Sequence, residues 1–363
     1  MIIHGDCLIE MAKMEANSID FIVTDPPYGL HFMGKHWDHG VPSKEFWERA
    51  LRICKPGTWI AAFGGTRTHH RLMCAIEDAG WQIRDCMMWL YGSGFPKSHN
   101  KLGLEGYGTA LKPAWEPIIL AMKPIDGTFA QNTEKWGVAG INIEESRIPS
   151  ESWSRPSRPN IRGGNYCNSE EEPVPRSNDK GRWPANLILD EEAAQELDRQ
   201  SGTSKSIQSN RGLLADMRGN NYNSCDKEKI FDSDSIRGHN DSGGASRFFY
   251  CAKASSKERN EGLEGMPLKE KPLMGKFKDN PGRETPKSSP TPRQNFHPTV
   301  KPLALMKYII KLLAPPGNPI LLDPFAGSGS TLVAAKQLGI QCIGIELEKE
   351  YCEIAERRLE GYL

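Results

Sequence analysis

The sequence of 363 residues predicts an α/β fold built on a mainly parallel sheet. Short apolar runs typical of buried strands alternate with helix-like segments near both ends of the chain. Three of these runs end in a carboxylate, namely Asp25, Asp323 and Glu346. Because the carboxyl ends of parallel strands meet at one edge of a sheet, we expect the three acids to line one cleft.

The composition narrows the class of protein. Lys+Arg and Asp+Glu both number 46, so the formal net charge is zero and any surface for nucleic acid must be local. The nine cysteines form no C-x-x-C pair, which predicts no zinc cluster, no disulfide framework and a reducing cytoplasm. No apolar stretch approaches the roughly 20 residues that span a bilayer, and the start resembles no signal peptide. We therefore expect a soluble cytoplasmic protein without a metal site.

Residues 1–124 have the pattern of the first half of such an α/β domain. Periodicity and turn residues predict strands at 1–4, 19–24, 58–63, 81–91 and 115–122, with helices at 8–11, 44–54 and 66–79.

Residues 125–246 differ in character, because Asn, Ser, Gly, Arg and Pro dominate and apolar runs are few. A structureless loop of this length is improbable inside a compact domain. The region is therefore either a separate recognition lobe or an insertion that becomes ordered on a partner. One strand is predicted within it, at 187–189.

Residues 247–363 return to α/β character. The run 247–252 predicts a strand, and 253–296 is a basic, proline-rich stretch that either tracks phosphates or is a solvated linker. Beyond it, the pattern predicts helices at 303–313, 332–338 and 348–360 and strands at 319–323 and 341–347.

The turn Asp25-Pro26-Pro27-Tyr28 is unusual as architecture. The prolines fix φ and remove two backbone donors, so neighbouring carbonyl groups have no strand to pair with. An acid, a carbonyl and an aromatic ring in one rigid turn suit a planar ligand that bears an amino group. The alternative is a strand-to-loop turn of chance composition.

A glycine-rich turn, Asp323 to Thr331, follows the strand predicted at 319–323. Gly327 and Gly329 would let a ligand approach the backbone at a helix N-terminus, and Glu346 lies where an acid binds ribose hydroxyls in nucleoside-binding folds. A dinucleotide-binding dehydrogenase is the alternative. Against it, the third glycine of that fingerprint is missing and the turn lies in the last quarter of the chain.

Together these motifs resemble those of the S-adenosylmethionine-dependent DNA amino-methyltransferases, which make N6-methyladenine or N4-methylcytosine. Asp25-Pro26-Pro27-Tyr28 is similar to their catalytic motif, and the turn from Asp323 to Thr331 to their cofactor motif. The order of the motifs, with the catalytic one first and a target-recognition region between, is that of the β group. The resemblance covers roughly 1–124 and 247–363, and matches 125–246 in position alone.

The resemblance implies a Rossmann-like methyltransferase sheet with permuted motif order, and double-stranded DNA as partner, as in restriction–modification systems. Asp25 and the Pro26 carbonyl would accept hydrogen bonds from the base amine, and Tyr28 would stack on the flipped base. The cofactor residues implied are Asp6, Cys7, Thr299, Lys301, Asp323, Phe325, Ala326, Gly327, Ser328, Gly329 and Glu346.

Adenine N6 is the expected target, since an Asp-led motif is more typical of adenine enzymes. Cytosine N4 is the first alternative, because both bases offer the same amine geometry. RNA, a protein amide and a non-catalytic DNA-binding module are further alternatives. A cytosine-C5 mechanism would need a Pro-Cys nucleophile, and the chain has no such dipeptide.

Overall fold

The computed structural model describes residues 1–30, 40–92, 105, 107–150, 153–155, 176–178, 181–206, 209–210, 236–237, 241–252, 258, 260–264, 266, 294–295, 297 and 300–361. Helices and strands are numbered in chain order. The strands are β1 (Ile2–His4), β2 (Ile19–Thr24), β3 (Cys54–Phe63), β4 (Gln82–Leu90), β5 (Trp115–Met122), β6 (Trp153–Arg155), β7 (Arg176–Asn178), β8 (Leu187–Asp190), β9 (Ser204–Lys205), β10 (Ser209–Asn210), β11 (Ile236–Arg237), β12 (Ser242–Gly243), β13 (Tyr250–Ala252), β14 (Ile320–Asp323) and β15 (Gln341–Glu346). The helices are α1 (Cys7–Lys13), α2 (Lys44–Ile53), α3 (His69–Asp78), α4 (Phe129–Trp136), α5 (Glu191–Ser201), α6 (Leu303–Leu313), α7 (Ser330–Gln337) and α8 (Lys349–Glu360).

A nine-stranded sheet with the order β1-β15-β14-β2-β3-β5-β4-β8-β13 organises the molecule. The strands from β1 to β3 in that order run parallel to one another. Strand β5 is antiparallel to both of its neighbours, β3 and β4. The carboxyl ends of β2, β14 and β15 and the amino end of β5 therefore lie at the same edge.

Helices cover both faces of this sheet. One buried cluster joins α1, α2 and α3 to the strands and includes Trp47, Ile22 and Ile60. Side chains alternate along a strand, so the buried Phe21 and Val23 point to the other face. Helix α6, which is apolar almost all round, contacts β2 and β3. Strand β2 is thus buried on both sides, as a central parallel strand must be.

The chain divides into two compact units. The first comprises Met1–Ser146, Asn186–Ala193 and Cys251–Leu363, and the second comprises Arg147–Ala185 and Ala194–Tyr250. The predicted boundaries, after 124 and after 246, differ from these. Residues 125–146 are polar in composition, yet side-chain hydrogen bonds attach them to the sheet of the first unit.

Asn132 makes that attachment. It is fully buried on α4, and its amide donates to the carbonyls of Pro56 and Val138 at 2.9 and 2.8 Å, while its side-chain oxygen accepts from the Asp126 amide at 2.7 Å. Trp59 on β3 adds an indole hydrogen bond to the Ala139 carbonyl at 2.9 Å. The spacing of residues in the sequence does not predict these contacts, because they join α4 and the segment after it to the distant strand β3.

The second unit contains short antiparallel pairs, namely β6 with β7, β10 with β11, and β9 with β12. A buried ion pair between Arg182 and Asp241 stabilises it, and Ser206 donates to the same carboxylate at 2.7 Å. The guanidinium of Arg247 stacks on the Phe248 ring at 4.2 Å.

Most predicted elements of the first unit are confirmed, with shifts of a few residues at their ends. The strand predicted at 247–252 is wrong in its first half, where Ala245–Phe248 form a 3-10 helix before β13. Arg247 explains the turn, because its guanidinium donates to the carbonyls of Gly243 and Gly244 at 2.7 and 2.8 Å. Across the described ranges, no helix combines the length and the apolar character needed to cross a membrane.

We predict that Asn132→Ala lowers the free energy of unfolding of the first unit by about 3 kcal/mol, because it leaves buried donors and acceptors without partners. Denaturant unfolding followed by fluorescence measures the change. Glu134→Ala, at an exposed position of the same helix, is the control and should change the value by less than about 0.5 kcal/mol. Equal effects of the two variants would show that Asn132 does not anchor 125–146.

Candidate active site

The carboxyl ends of three parallel strands converge on one cavity. Asp25 follows β2, Asp323 ends β14 and Glu346 ends β15, and all three line a cavity of about 490 Å³. The cavity belongs to the first unit. Its location confirms the expectation that acids from opposite ends of the chain meet at this edge.

One part of the cavity lining consists of the Asp-Pro-Pro-Tyr turn and Lys301. The Lys301 ammonium donates to Asp25 Oδ2 at 2.7 Å and lies 3.1 Å from the Tyr28 hydroxyl. That hydroxyl donates to Asp25 Oδ1 at 2.8 Å. Glu116, at the amino end of β5, accepts from Tyr28 at 3.2 Å and lies 3.3 Å from Lys301 Nζ. The four side chains Asp25, Tyr28, Glu116 and Lys301 are called the carboxylate–lysine cluster below.

The electrostatics of this cluster fix its protonation. Burial lowers the pKa of Lys301, but the carboxylates of Asp25 and Glu116 outweigh burial and raise it above its ordinary value. Burial and the same two carboxylates raise the pKa of Tyr28 well above 10. At neutral pH, Lys301 is therefore an ammonium and Tyr28 a hydrogen-bond donor. The ammonium also lies 4.8 Å from the centre of the Phe63 ring, a favourable cation–π distance.

The glycine-rich turn between β14 and α7 forms another part of the cavity lining. Gly327 has φ +53°, and its amide donates to Glu346 Oε2 at 2.8 Å. The amide of Glu348 donates to Glu346 Oε1 at 2.8 Å. Each carboxylate oxygen keeps a further lone pair for a ligand. Burial raises the pKa of Glu346, and the two amides oppose that effect.

The hydrogen bonds of Asp323 hold the fold together, although Asp323 lines the same cavity. Its Oδ1 accepts from the Thr24 hydroxyl at 2.7 Å and from the Phe325 amide at 3.2 Å, which ties β14 to β2 and shapes the turn. Its side chain is only 2% exposed. Burial raises the pKa of Asp323 to about 6, against the lowering effect of its hydrogen bonds.

The turn before α1 contributes Asp6 and Cys7. Asp6 caps this helix, because its Oδ1 accepts from the amides of Leu8 and Ile9 at 2.8 and 3.2 Å. Burial raises the pKa of the Cys7 thiol to about 12, so Cys7 is a neutral thiol. The Gly5 amide donates to the Glu346 carbonyl at 2.9 Å, which holds this turn beside β15.

Most of the residues predicted for the site line the cavity. These are Asp6, Cys7, Asp25, Pro26, Pro27, Tyr28, Lys301, Asp323, Phe325, Ala326, Gly327, Ser328 and Glu346. Gly329 does not, and its φ of +79° and close approach to Ala355 serve the start of α7 instead. Thr299 lies outside the described residues. No group of three or more His, Cys, Asp or Glu side chains in the described ranges is arranged to hold a metal ion.

Two findings about the cluster were not expected. Lys301 was predicted only as a cofactor residue, and its contacts with Asp25 and Tyr28 were not foreseen. Glu116 was not singled out, although it is the one charged residue of β5. An acid at the start of an apolar strand was the available signal, and the antiparallel direction that brings it to this edge was not evident from the sequence. Tyr91, Trp115, His297 and Tyr351 also line the cavity.

A family model decides the relationship. The model of the N6/N4 methyltransferases, described as DNA methylase, matches residues 19–357. The chain belongs to this family. Its members use S-adenosylmethionine to methylate amines of DNA bases, so the recognition of the family from the motifs is confirmed.

Individual relatives cover less of the chain. A segment of 65 residues is 55% identical to Type II methyltransferase M2.DpnII of Streptococcus pneumoniae, over 18% of this chain and 24% of the relative. A segment of 63 residues is 52% identical to Type II methyltransferase M2.LlaDCHI of Lactococcus lactis subsp. cremoris, over 17% and 23%. The alignment thus spans about a quarter of the length of these curated relatives.

The fold also resembles a solved structure of PvuII DNA methyltransferase, which is named as cytosine-N4-specific. The TM-score is 0.51 at 13% identity, over 99% of this chain and 85% of the other. At this identity the likeness concerns the fold alone. The Rossmann-like methyltransferase fold that the sequence predicts is confirmed.

We predict that Asp323 makes the protein less stable as pH rises through the window from about 4 to about 6, because its folded pKa of about 6 exceeds the ordinary 3.8. In that window the folded state holds a proton that the unfolded state has released, so the free energy of unfolding falls with rising pH. Asp323→Asn should flatten the dependence. Urea unfolding at several pH values measures it, with Asp78→Asn, at an exposed site, as control. A pH dependence unchanged in Asp323→Asn would contradict the assignment.

Proposed function

We propose that the protein transfers a methyl group from S-adenosylmethionine to an exocyclic amine of a base in double-stranded DNA, with adenine N6 as the favoured target. One observation carries the proposal. Asp25, which can hold an amine, and Glu346, which can hold ribose hydroxyls, line a single cavity. Membership of the DNA methylase family supports the same reaction.

The residues of the cavity fit S-adenosylmethionine. The cofactor supplies an electrophilic methyl group on a positively charged sulfur. Asp6, Asp25, Glu116, Asp323, Glu346 and Glu348 all line the cavity, against one Lys or Arg among its described lining residues, Lys301. An excess of carboxylates suits a cationic ligand. Glu346 would hold ribose hydroxyls, and the turn requires glycine at 327, since a Cβ there would lie 2.9 Å from His297 Nε2.

Asp25 would orient the base amine. The lone pair of an exocyclic amine is delocalised into the ring, so the amine is a poor nucleophile. Hydrogen bonds from its two N–H groups to Asp25 and the Pro26 carbonyl would shift the nitrogen toward tetrahedral geometry and aim the lone pair at the methyl group. The transfer is then a direct in-line displacement without a covalent enzyme intermediate. The Tyr28 ring, which lines the cavity, would contact the flipped base.

Adenine is favoured over cytosine because the motif is led by Asp. Cytosine N4 is the alternative, since its amine would make the same two hydrogen bonds. RNA or protein amides would not require a large recognition region. A non-catalytic module is disfavoured because Asp25, Gly327 and Glu346 are all present. We further propose that residues 125–246 contact DNA and that the reaction takes place in the cytoplasm.

The substrate is tested with S-adenosylmethionine labelled in its methyl group, duplex DNA, and mass spectrometry of the digested nucleosides. Labelled N6-methyldeoxyadenosine is the expected product. Labelled N4-methyldeoxycytidine would keep the mechanism and change the base. Label that appears in RNA or protein controls and not in DNA would overturn the proposal that DNA is the substrate.

We predict that Asp25→Ala abolishes methyl transfer, because the amine loses its main acceptor. The affinity for S-adenosylhomocysteine should stay within about tenfold, roughly 1.4 kcal/mol. Label incorporation and titration calorimetry give the two values. Asp78→Ala is the control, since Asp78 is exposed at the end of α3. Normal turnover in Asp25→Ala would rule out the mechanism.

We predict that Glu346→Ala weakens S-adenosylhomocysteine binding by more than about tenfold, because it removes both the acceptor for ribose hydroxyls and the acceptor of the Gly327 amide. Glu346→Gln should be milder, since its amide oxygen still accepts. Calorimetry measures both variants beside Glu353→Ala, an exposed site on α8. Wild-type affinity in Glu346→Ala would exclude Glu346 from the cofactor site.

A further inference from the structure

Glu116 is the second residue of β5, and the residues that follow it in the strand, 117–122, are buried and apolar. Because β5 runs antiparallel to β3 and β4, its amino end lies at the edge where Asp25 lies. The Glu116 side chain is 24% exposed and lines the cavity. A partly buried carboxylate costs free energy unless it has donors, so its partners indicate its role.

The donors in the carboxylate–lysine cluster are shared between two acceptors. The Tyr28 hydroxyl has one hydrogen, and both Asp25 Oδ1 at 2.8 Å and Glu116 Oε2 at 3.2 Å are within reach. The Lys301 ammonium has three, and it lies 2.7 Å from Asp25 Oδ2 and 3.3 Å from Glu116 Oε2. Both oxygens of Asp25 thus have a donor, and both donors have Glu116 as second acceptor.

This sharing bears on how Asp25 could receive a base amine. An ammonium with a single carboxylate partner in a buried site would stay on that partner, because leaving it unpaired is costly. A second carboxylate within hydrogen-bonding reach gives the ammonium an alternative ion-pair partner. We propose that Glu116 is a positioning residue that takes the Lys301 ammonium and the Tyr28 hydroxyl when the amine binds Asp25. The proposal rests on the function proposed above.

The charges balance through the transfer. The amine nitrogen forms a bond to the methyl carbon, sulfur keeps the electron pair of the broken bond, and the nitrogen gives up one proton to Asp25. Asp25 is then neutral, while Glu116 and Lys301 form an ion pair. Without Glu116, the ammonium would face a neutral acid inside the cavity. Glu116 therefore lets the proton reach Asp25 without leaving Lys301 unpaired.

The alternative is that Glu116 and Lys301 form a purely structural ion pair. The coupling between substitutions at positions 116 and 301, measured on the rate, distinguishes this role from a positioning role. We expect Glu116→Gln to lower the single-turnover rate of methyl transfer by about 10- to 100-fold through misplacement of the reacting groups. The affinity for S-adenosylhomocysteine should change less than about twofold. If Glu116 acts through Lys301, its substitution in a Lys301→Gln background should have almost no further effect. Glu116→Asp should recover part of the rate, and Glu77→Gln, at an exposed site of α3, is the charge-matched control.

A second readout does not depend on activity. Lysine labelled with ¹³C at Cε reports the titration of Lys301 by NMR, and Lys301→Gln assigns the signal. The groups that face this amine are Asp25 and Tyr28 from the turn after β2, Glu116 from β5, and the Phe63 ring at the end of β3. Tyr91, which follows β4, also interacts electrostatically with Lys301. Loss of one of two anions should lower the pKa of Lys301 in Glu116→Gln by about one unit.

The outcomes separate the two proposals. A Lys301 pKa that is unchanged in Glu116→Gln, or a rate loss equally large in the Lys301→Gln background, would overturn the role of Glu116. Absence of methyl transfer to DNA by the wild-type protein would instead overturn the proposed function, and the Lys301 titration would still decide whether Glu116 holds this amine. Thermal melting of each variant identifies any that fails to fold, in which case Glu116→Ala, which also removes the charge, replaces Glu116→Gln in both measurements.

Discussion

The ion pair between Lys301 and Asp25 is the contact on which the site depends. It joins the turn after the second strand to the segment before α6, and the two residues are separated by 276 positions in the chain. Lys301 is only 8% exposed, so its charge must be compensated locally. That requirement explains why two carboxylates and a tyrosine hydroxyl surround one amine, and why the four side chains have to be considered as a unit.

Three acids at one edge of the sheet have three different environments. Asp25 faces an ammonium and a hydroxyl, and Glu346 faces two backbone amides. Asp323 faces the hydroxyls of Thr24 and Thr331 and an amide in a buried site. A carboxylate can therefore serve to orient an amine, to hold a turn while keeping lone pairs for a ligand, or to connect two strands. Position on the sheet brings the acids together, and the donors around each acid decide what it can do.

The sequence predicted what depends on periodicity and on parallel strands. Asp25, Asp323 and Glu346 could be placed together because each ends an apolar run, and the rule for parallel sheets then fixes the edge. Glu116 could not be placed in this way, since its position depends on β5 running antiparallel, and the direction of a strand leaves no periodic signal. The contacts of Lys301 could not be predicted for a related reason. It precedes a helix and has no strand to orient it, so its partner is known only from tertiary contacts. The attachment of 125–146 through Asn132 likewise depends on side-chain contacts that composition does not indicate.

The charge of the cavity restricts how DNA could approach it. Carboxylates outnumber cationic side chains among the described residues that line it, and Lys301 is already paired. Such a cavity attracts a cationic cofactor and repels phosphate. A flipped base would therefore enter the cavity while its sugar–phosphate backbone stays outside. The cations that hold the phosphates must then lie elsewhere on the protein. Because the formal net charge of the chain is zero, a surface that binds phosphates would have to be a local concentration of basic residues, separate from the acids inside the cavity.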